Sequence, residues 1–242
     1  VKDSTLSVGN IGLALTNFVL HPDSIARHNL PFHSEKFEIT VADVHYQFNA
    51  INKLQIGLLD YRSKPSTVII NAFAIVPLFD KYAYGEKLGH QASWLSLINS
   101  KTQINNLDFE QLIGNKALHA KSIVVDDVSI DVFRDKRLPF PVNQVRELPH
   151  RNLRELPFGV KIDSLWLKSG RVEYVEQSAK TDATGSIYFD DMRAGIRNIT
   201  NDSLQIVSNP TMEVSVETKM YGSGMTVAKF DFNLASPSYE YT

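Results

Sequence analysis

The residues most able to carry chemistry are three histidines near the N-terminus and one serine near the C-terminus. His21, His28 and His33 are close in sequence, but their spacing does not match the i, i+4 pair that holds zinc on a helix with a glutamate between. Ser223 has a glycine on each side, but it lacks the G-x-S-x-G frame and the strand-to-helix setting of a nucleophile elbow. We therefore interpret the histidines as loop residues and the serine as part of a turn.

Two pairs of adjacent carboxylates, Asp126 with Asp127 and Asp190 with Asp191, could in principle form a glycosidase dyad. Adjacent residues of a strand point to opposite faces and cannot flank one bond, so we interpret both pairs as turn or strand-end residues. The absence of cysteine excludes disulfides, thiol catalysis and thiolate metal sites. No phosphate-binding glycine loop occurs. The sequence therefore predicts a non-enzymatic protein with no catalytic, cofactor-binding or metal site.

The composition is that of an ordinary folded protein, with 43% hydrophobic and 21% charged residues. The 25 basic residues are balanced by 27 acidic ones, which argues against a nucleic-acid partner because duplex binders usually carry a basic face. A length of 242 residues suits one large all-β domain or two smaller ones.

The dominant pattern is an alternation of apolar and polar residues with a period of two, which is typical of half-buried β-strands. About a dozen such segments are separated by short turn-like connections, so we expect a mainly β fold. The sheet should be antiparallel and meandering, forming either a curved groove or a sandwich, with one or two short helices. The segments before the C-terminal hairpin are 6–20, 37–48, 54–61, 67–78, 94–104, 121–133, 160–167, 171–176, 185–190 and 193–199.

The clearest local prediction is a hairpin at the C-terminus, with a glycine-rich turn over residues 221–224. Val214 and Val216 alternate with polar residues on its first strand, and Phe230 and Phe232 share one parity on the second. Because other apolar residues of the second strand have the opposite parity, we expect a bulge near Ala228 that keeps a single buried face.

Helix signals are scarce. Residues 108–113 can place several apolar side chains on one face before a glycine stop, and residues 142–148 are a weaker candidate between prolines. A proline-rich connection over 138–158 separates a β-rich part over 1–137 from another over 159–242. A single continuous β domain over 1–242 is the alternative.

An internal repetition appears when residues 123–131 are laid over residues 165–173. Apolar residues match at three positions and an acidic residue at a fourth. Each copy has the pattern of a strand, a tight polar turn and a second strand, so we expect a reiterated hairpin unit. The alternative is that any two amphipathic hairpins align this well.

Several stretches resemble the AsmA-like cell-envelope proteins of Bacteroidota. The resemblance covers roughly residues 67–241 and consists of strand and turn patterns. The stretches that carry it are FAIVPLFDKY (73–82), VFRDKRLP (132–139), VKIDSL (160–165), VEYVE (172–176), GSIYF (185–189) and MYGSG (220–224).

The resemblance implies a long protein anchored in the inner membrane, with a β-rich periplasmic body. It is related to TamB-like and bridge-like groove proteins thought to move or organise lipids, with a role in envelope homeostasis and outer-membrane biogenesis. Neither the anchor nor the family's C-terminal region is in the printed sequence, so we expect a segment of a longer chain. The implied partners are lipid acyl chains, and no cofactor is implied. The candidate lipid-facing residues are Val214, Val216, Phe230 and Phe232, although a closed core would explain them equally well.

Two other functions stay open. A binding or scaffold module could recognise a glycan or a protein through loops or a sheet edge, and Tyr82, Tyr84 and Trp94 could stack on a sugar. We interpret these three aromatic residues as core. An enzyme with an unrecognised site would need several acids or histidines that converge in a cleft.

Overall fold

The computed structural model describes residues 4–20, 32–141 and 149–235. Within these ranges the chain forms one mixed sheet of eleven strands and four short helices. The strands are β1 (Thr5–Leu20), β2 (Phe32–Gln47), β3 (Asn52–Ser63), β4 (Ser66–Pro77), β5 (Ser93–Asn105), β6 (Ala117–Asp135), β7 (Gly159–Leu167), β8 (Gly170–Gln177), β9 (Thr184–Thr200), β10 (Thr211–Met220) and β11 (Gly224–Asn233). The helices are α1 (Lys81–Leu88), α2 (Phe109–Gly114), α3 (Pro149–Arg154) and α4 (Ser203–Ser208).

The mainly β, mostly antiparallel prediction is confirmed. Strands β1 to β6 pair antiparallel in chain order, and β9, β10 and β11 do the same. Between these groups, β7 and β8 pair parallel with β6 and antiparallel with β9. Strands from both sides of the proline-rich connection therefore lie in the same sheet. The predicted domain boundaries stay a prediction.

The two copies of the internal repetition lie side by side in this sheet. Ile123 pairs with Leu165 on β7, and Ile130 pairs with Val172 on β8, with the same displacement along the chain. The expectation that each copy is a hairpin was wrong. The first copy lies within the unbroken strand β6. The second copy is divided between β7 and β8, which run in the same direction because both pair parallel with β6.

The C-terminal hairpin is confirmed, but the bulge near Ala228 was wrong. The pairing of β10 with β11 runs without a register shift from Thr211 opposite Asn233 to Met220 opposite Gly224. Because the pairing is regular, Met225 and Val227 lie on the face of β11 opposite Phe230, and both are exposed. Similarly, the predicted strands over 185–190 and 193–199 are parts of the single strand β9.

The predicted helix over 108–113 is confirmed as α2, where the Asp108 carboxylate accepts a hydrogen bond from the Gln111 backbone N–H at 2.9 Å. The described residues hold four helices, so the expectation of one or two was too low. At α1, the backbone N–H groups of Ala83 and Tyr82 bond the Asp80 carboxylate and hold its pKa below the usual value. The weaker candidate helix over 142–148 lies outside the described residues.

Two buried clusters of the core lie where α2 and α3 meet one end of the sheet. The ring of Phe109 on α2 stacks on Tyr61 at 4.7 Å and meets Phe37 edge-on at 5.2 Å. A neighbouring cluster contains Ala120, Val160 and Ile162 and packs against Leu153 of α3. Helices α2 and α3 therefore cover only part of one sheet face, whereas α1 packs against Phe133 on the other face.

The aromatic residues weighed as sugar platforms are largely packed inside the protein. Tyr84 is buried, and the Tyr82 ring meets Phe133 edge-on at 5.0 Å. The Trp94 indole N–H donates a hydrogen bond to the Phe79 carbonyl at 3.0 Å. These contacts agree with the interpretation of the three residues as core.

Candidate functional site: a continuous apolar sheet face

A line of irregular backbone positions crosses six neighbouring strands at matching places in the register. At each position the regular pairing of neighbouring strands is interrupted, and every second position has a positive φ of 51–55°. We call this line the bend row, and it consists of Gly9, Asp43, Gly57, Ala72, Ser100 and Asp127. The same line continues to the break between β7 and β8 and to Asp191, which has φ 50°.

The alternation of apolar and polar residues shifts by one position where a strand crosses the bend row. On β2 the apolar side chains are Ile39 and Val41 before Asp43, and then Val44 and Tyr46 after it. A regular strand with this sequence would place the two apolar pairs on opposite faces. A residue with positive φ interrupts the extended conformation, and such interruptions re-aim the side chains that follow.

Side-chain contacts across the bend row place both apolar sets on the same face. The Thr102 hydroxyl donates a hydrogen bond to the Asn99 side-chain oxygen at 2.8 Å, although the two residues are three positions apart on β5. A Cβ at Gly170 would lie 3.0 Å from Leu167 Cδ2 and 3.1 Å from Val128 Cγ1. Residues three apart therefore share a face wherever they flank the row.

Three cross-strand rows of paired residues form this face, which we call the apolar face. Row A lies on one side of the bend row, and rows B and C lie on the other. Row A is Leu6, Tyr46, Leu54, Ile75, Leu97, Ile130, Val172, Phe189 and Met220; row B is Ile11, Val41, Leu59, Ile70, Thr102, Val125, Leu167, Ala194, Val216 and Ala228; row C is Leu13, Ile39, Tyr61, Val68, Ile104, Ile123, Leu165, Ile196, Val214 and Phe230.

Most of the apolar face is not covered by any other described part of the chain. Of its three rows, only Tyr61 and Val68 are buried, and both belong to the cluster beneath α2. The remaining members are half-buried or exposed, even on the central strands. In a sandwich, a second sheet would bury these positions. The described residues contain a single sheet, so the groove-like alternative fits them better than the sandwich.

The four candidate lipid-facing residues all lie on the apolar face. Val214 pairs with Phe230 in row C, and Val216 lies in row B. Phe232 pairs with Met212, and its ring centroid is 6.2 Å from that of Phe230. Their contact with lipid stays a prediction. The central part of the face could not be predicted from the sequence, because cross-strand rows become visible only when the pairing is known.

The opposite face of the sheet is mostly polar, and both aspartate pairs take part in its ion pairs. Asp126 lies 3.2 Å from Lys168, and Asp190 lies 3.2 Å from Arg171. The Lys219 ammonium, 2.7 Å from Asp191, holds the pKa of that carboxyl below its usual value. The interpretation of these pairs as turn or strand-end residues was wrong, because both lie inside long strands at the line of the bend row.

A shallow groove also lies on the polar face. Trp166, 41% exposed, covers Gly195, and a Cβ there would come within 2.6 Å of the indole. The Arg197 guanidinium lies 5.8 Å from the indole ring centre. The groove continues past Ser215 and Lys229. An exposed ring beside charged groups is chemistry that a sugar could use.

Among the residues that the structure describes, no three histidine or acidic side chains converge as metal ligands would. Likewise, no helix in those ranges has the length and apolar character needed to cross a bilayer. No family model matches the chain, and a search of curated proteins finds no match.

Proposed function

We propose that this chain is a non-enzymatic segment of an AsmA-like cell-envelope protein that holds lipid acyl chains on its apolar face. The observation that carries the proposal is the continuity of that face across ten strands. The face continues past the bend row because the alternation of apolar and polar residues shifts there by one position. The resemblance in residues 67–241 adds the periplasmic location and the role in lipid transport or envelope homeostasis.

The chemistry of the apolar face suits acyl chains better than a protein or a sugar. Rows A, B and C contain no charged residue. The hydroxyl of Thr102 already donates to Asn99, and that of Tyr61 lies 3.3 Å from Ser66. Protein and sugar ligands rely on polar groups at the contact, whereas a hydrocarbon chain requires none.

The apolar face is long enough to hold lipid tails, since two tails placed end to end span the hydrocarbon core of a bilayer, which is about 30 Å thick. Nine steps between neighbouring strands, at about 4.8 Å each, give an apolar row of about 40 Å. Each methylene removed from water contributes about 0.8 kcal/mol, so a chain of many methylenes gains a large favourable free energy along one row. The polar opposite face keeps the sheet in contact with water.

Native mass spectrometry of the purified chain after incubation with phosphatidylethanolamine vesicles tests the proposal. We expect bound phospholipid, and we expect Phe230→Glu to lower its occupancy several-fold, because a carboxylate would then stand in row C. Val227→Glu is the matched control, since Val227 lies on the same strand, is similarly exposed and faces the opposite side. Bare protein under conditions that preserve other lipid complexes would contradict the proposal, as would equal loss in both variants.

The second candidate function is a carbohydrate-binding or scaffold module, which the Trp166 groove on the polar face favours. It predicts glycan binding that is lost in Trp166→Ala and unchanged in Phe230→Glu. A glycan array without hits would remove this candidate and leave the lipid proposal unaffected.

A further inference from the structure

The edge strand β1 has the properties of an edge that another strand covers. Its 16 residues include no charged side chain, and within the described ranges it pairs with β2 alone. Leu6, Ile11 and Leu13 on this strand are 66%, 73% and 57% exposed. Natural sheets usually protect a free edge with charges, prolines or short strands, because a long apolar edge recruits further strands. The opposite edge, β11, is shorter and carries Lys229 and Asp231.

The sequence of β1 is self-complementary around Leu13. If two copies of the strand pair antiparallel with Leu13 opposite Leu13, Ile11 stands opposite Leu15 and Val8 opposite Phe18. Residues that stand directly opposite each other share a face, so apolar residues meet apolar residues on the same side of the joined sheet. A two-fold symmetric interface requires such self-complementarity.

The backbone irregularities follow the same symmetry. Gly9 belongs to the bend row, and Asn17, with φ 51°, is a second skipped position opposite Glu35. Pairing around Leu13 places Asn17 of one copy opposite Gly9 of the other. Along the bend row, positive φ is present at every second strand, beginning with Asp43 beside Gly9. Asn17 of a second copy would continue that alternation by one strand.

We propose that a second copy of this chain is the occupant of the β1 edge. The two copies form a two-fold dimer in which β1 pairs antiparallel with β1 and Leu13 stands opposite Leu13. The axis is perpendicular to the sheet, because only then do both apolar faces lie on the same side. The two sheets become one sheet, and the apolar rows of the two copies become continuous. The pairing does not depend on what the apolar face binds.

Sedimentation velocity on the intact chain and its Leu13 variants tests this dimer. We expect the wild type to sediment as a dimer and Leu13→Lys and Leu13→Glu each to sediment as a monomer, because like charges would stand directly opposite each other. An equimolar mixture of the two variants should regain the dimer. Leu204→Lys, at an 81% exposed position on α4, is the control and should stay dimeric. Circular dichroism verifies that each variant is folded.

Cysteine cross-linking tests the register separately, since the chain has no native cysteine. Leu13→Cys should form a covalent dimer with oxidised glutathione, because directly opposite Cα atoms are about 5 Å apart, within disulfide range. Ile11→Cys should not, because four residues separate the two copies of position 11 along the strands, about 13 Å. A monomeric wild type, a dimer that survives both Leu13 charge variants, or equal cross-linking at both positions would overturn the proposal.

Discussion

Replacing Leu97 with glutamate is expected to weaken the binding of a fluorescent fatty acid at least about tenfold. Leu97 is a half-buried member of row A at the middle of the sheet, between Ile75 and Ile130. A carboxylate there stays hydrated and keeps the acyl chain from contacting its neighbours. The loss of two methylene contacts, at about 0.8 kcal/mol each, already exceeds the 1.4 kcal/mol that corresponds to a tenfold change.

The adjacent residue provides the control for this result. Ile98 lies on the opposite face, is 55% exposed, and pairs with Ala74 and Ser129. Ile98→Glu should leave the affinity within about twofold of the wild type, with thermal unfolding used to verify that both variants are folded. If the two substitutions weaken binding equally, or if neither does, the apolar face is not where the fatty acid binds.

The second large effect is expected at the bend row, where Asn99→Leu should lower the free energy of unfolding by about 1–3 kcal/mol. Asn99 is 2% exposed, and its side-chain amide donates hydrogen bonds to the carbonyl oxygens of Lys101 and Asp126. Its side-chain oxygen also accepts a hydrogen bond from the Thr102 hydroxyl. Leucine has a similar size, but it cannot form hydrogen bonds with the two carbonyl oxygens or with the Thr102 hydroxyl.

Urea denaturation measures this loss, with Gln103→Leu as the matched variant. Gln103 is on the same strand, and its amide bonds only the Asn105 side chain at 2.7 Å. Its replacement should cost less than half as much. Equal stability of Asn99→Leu and the wild type would show that the hydrogen bonds across the bend row do not stabilise the sheet.

The strands were predictable because their alternation is local, and α2 was predictable because Asp108 and Gly114 mark its ends. Helix α1 was missed because Lys81–Leu88 has no apolar stripe, although Asp80 is a good N-cap residue and Gly89 ends the helix with φ 71°. Propensity for a cap is a weak signal when no amphipathic pattern follows it.

The bend row was mistaken for turns. A run such as Asp126-Asp127 interrupts an apolar pattern as a hairpin turn would, and only the pairing of β6 with β7 and β8 distinguishes the two cases. One local signal was available in the sequence: pairs of apolar residues separated by two other residues recur on successive strands. Examples are Val41 with Val44 and Val125 with Val128. The alternation shifts at each of these pairs because the apolar side chains must stay on the same face of the sheet on both sides of the bend row.

The most direct test of the apolar face is photo-crosslinking from defined positions. A photo-reactive amino acid is placed at Ile130 in row A, at Ile123 in row C, or at Ser129 on the polar face, and the protein is irradiated with phospholipid vesicles. We expect lipid adducts at Ile130 and Ile123 and none at Ser129. Adducts of equal yield at all three positions, or none at Ile130 and Ile123, would contradict this expectation.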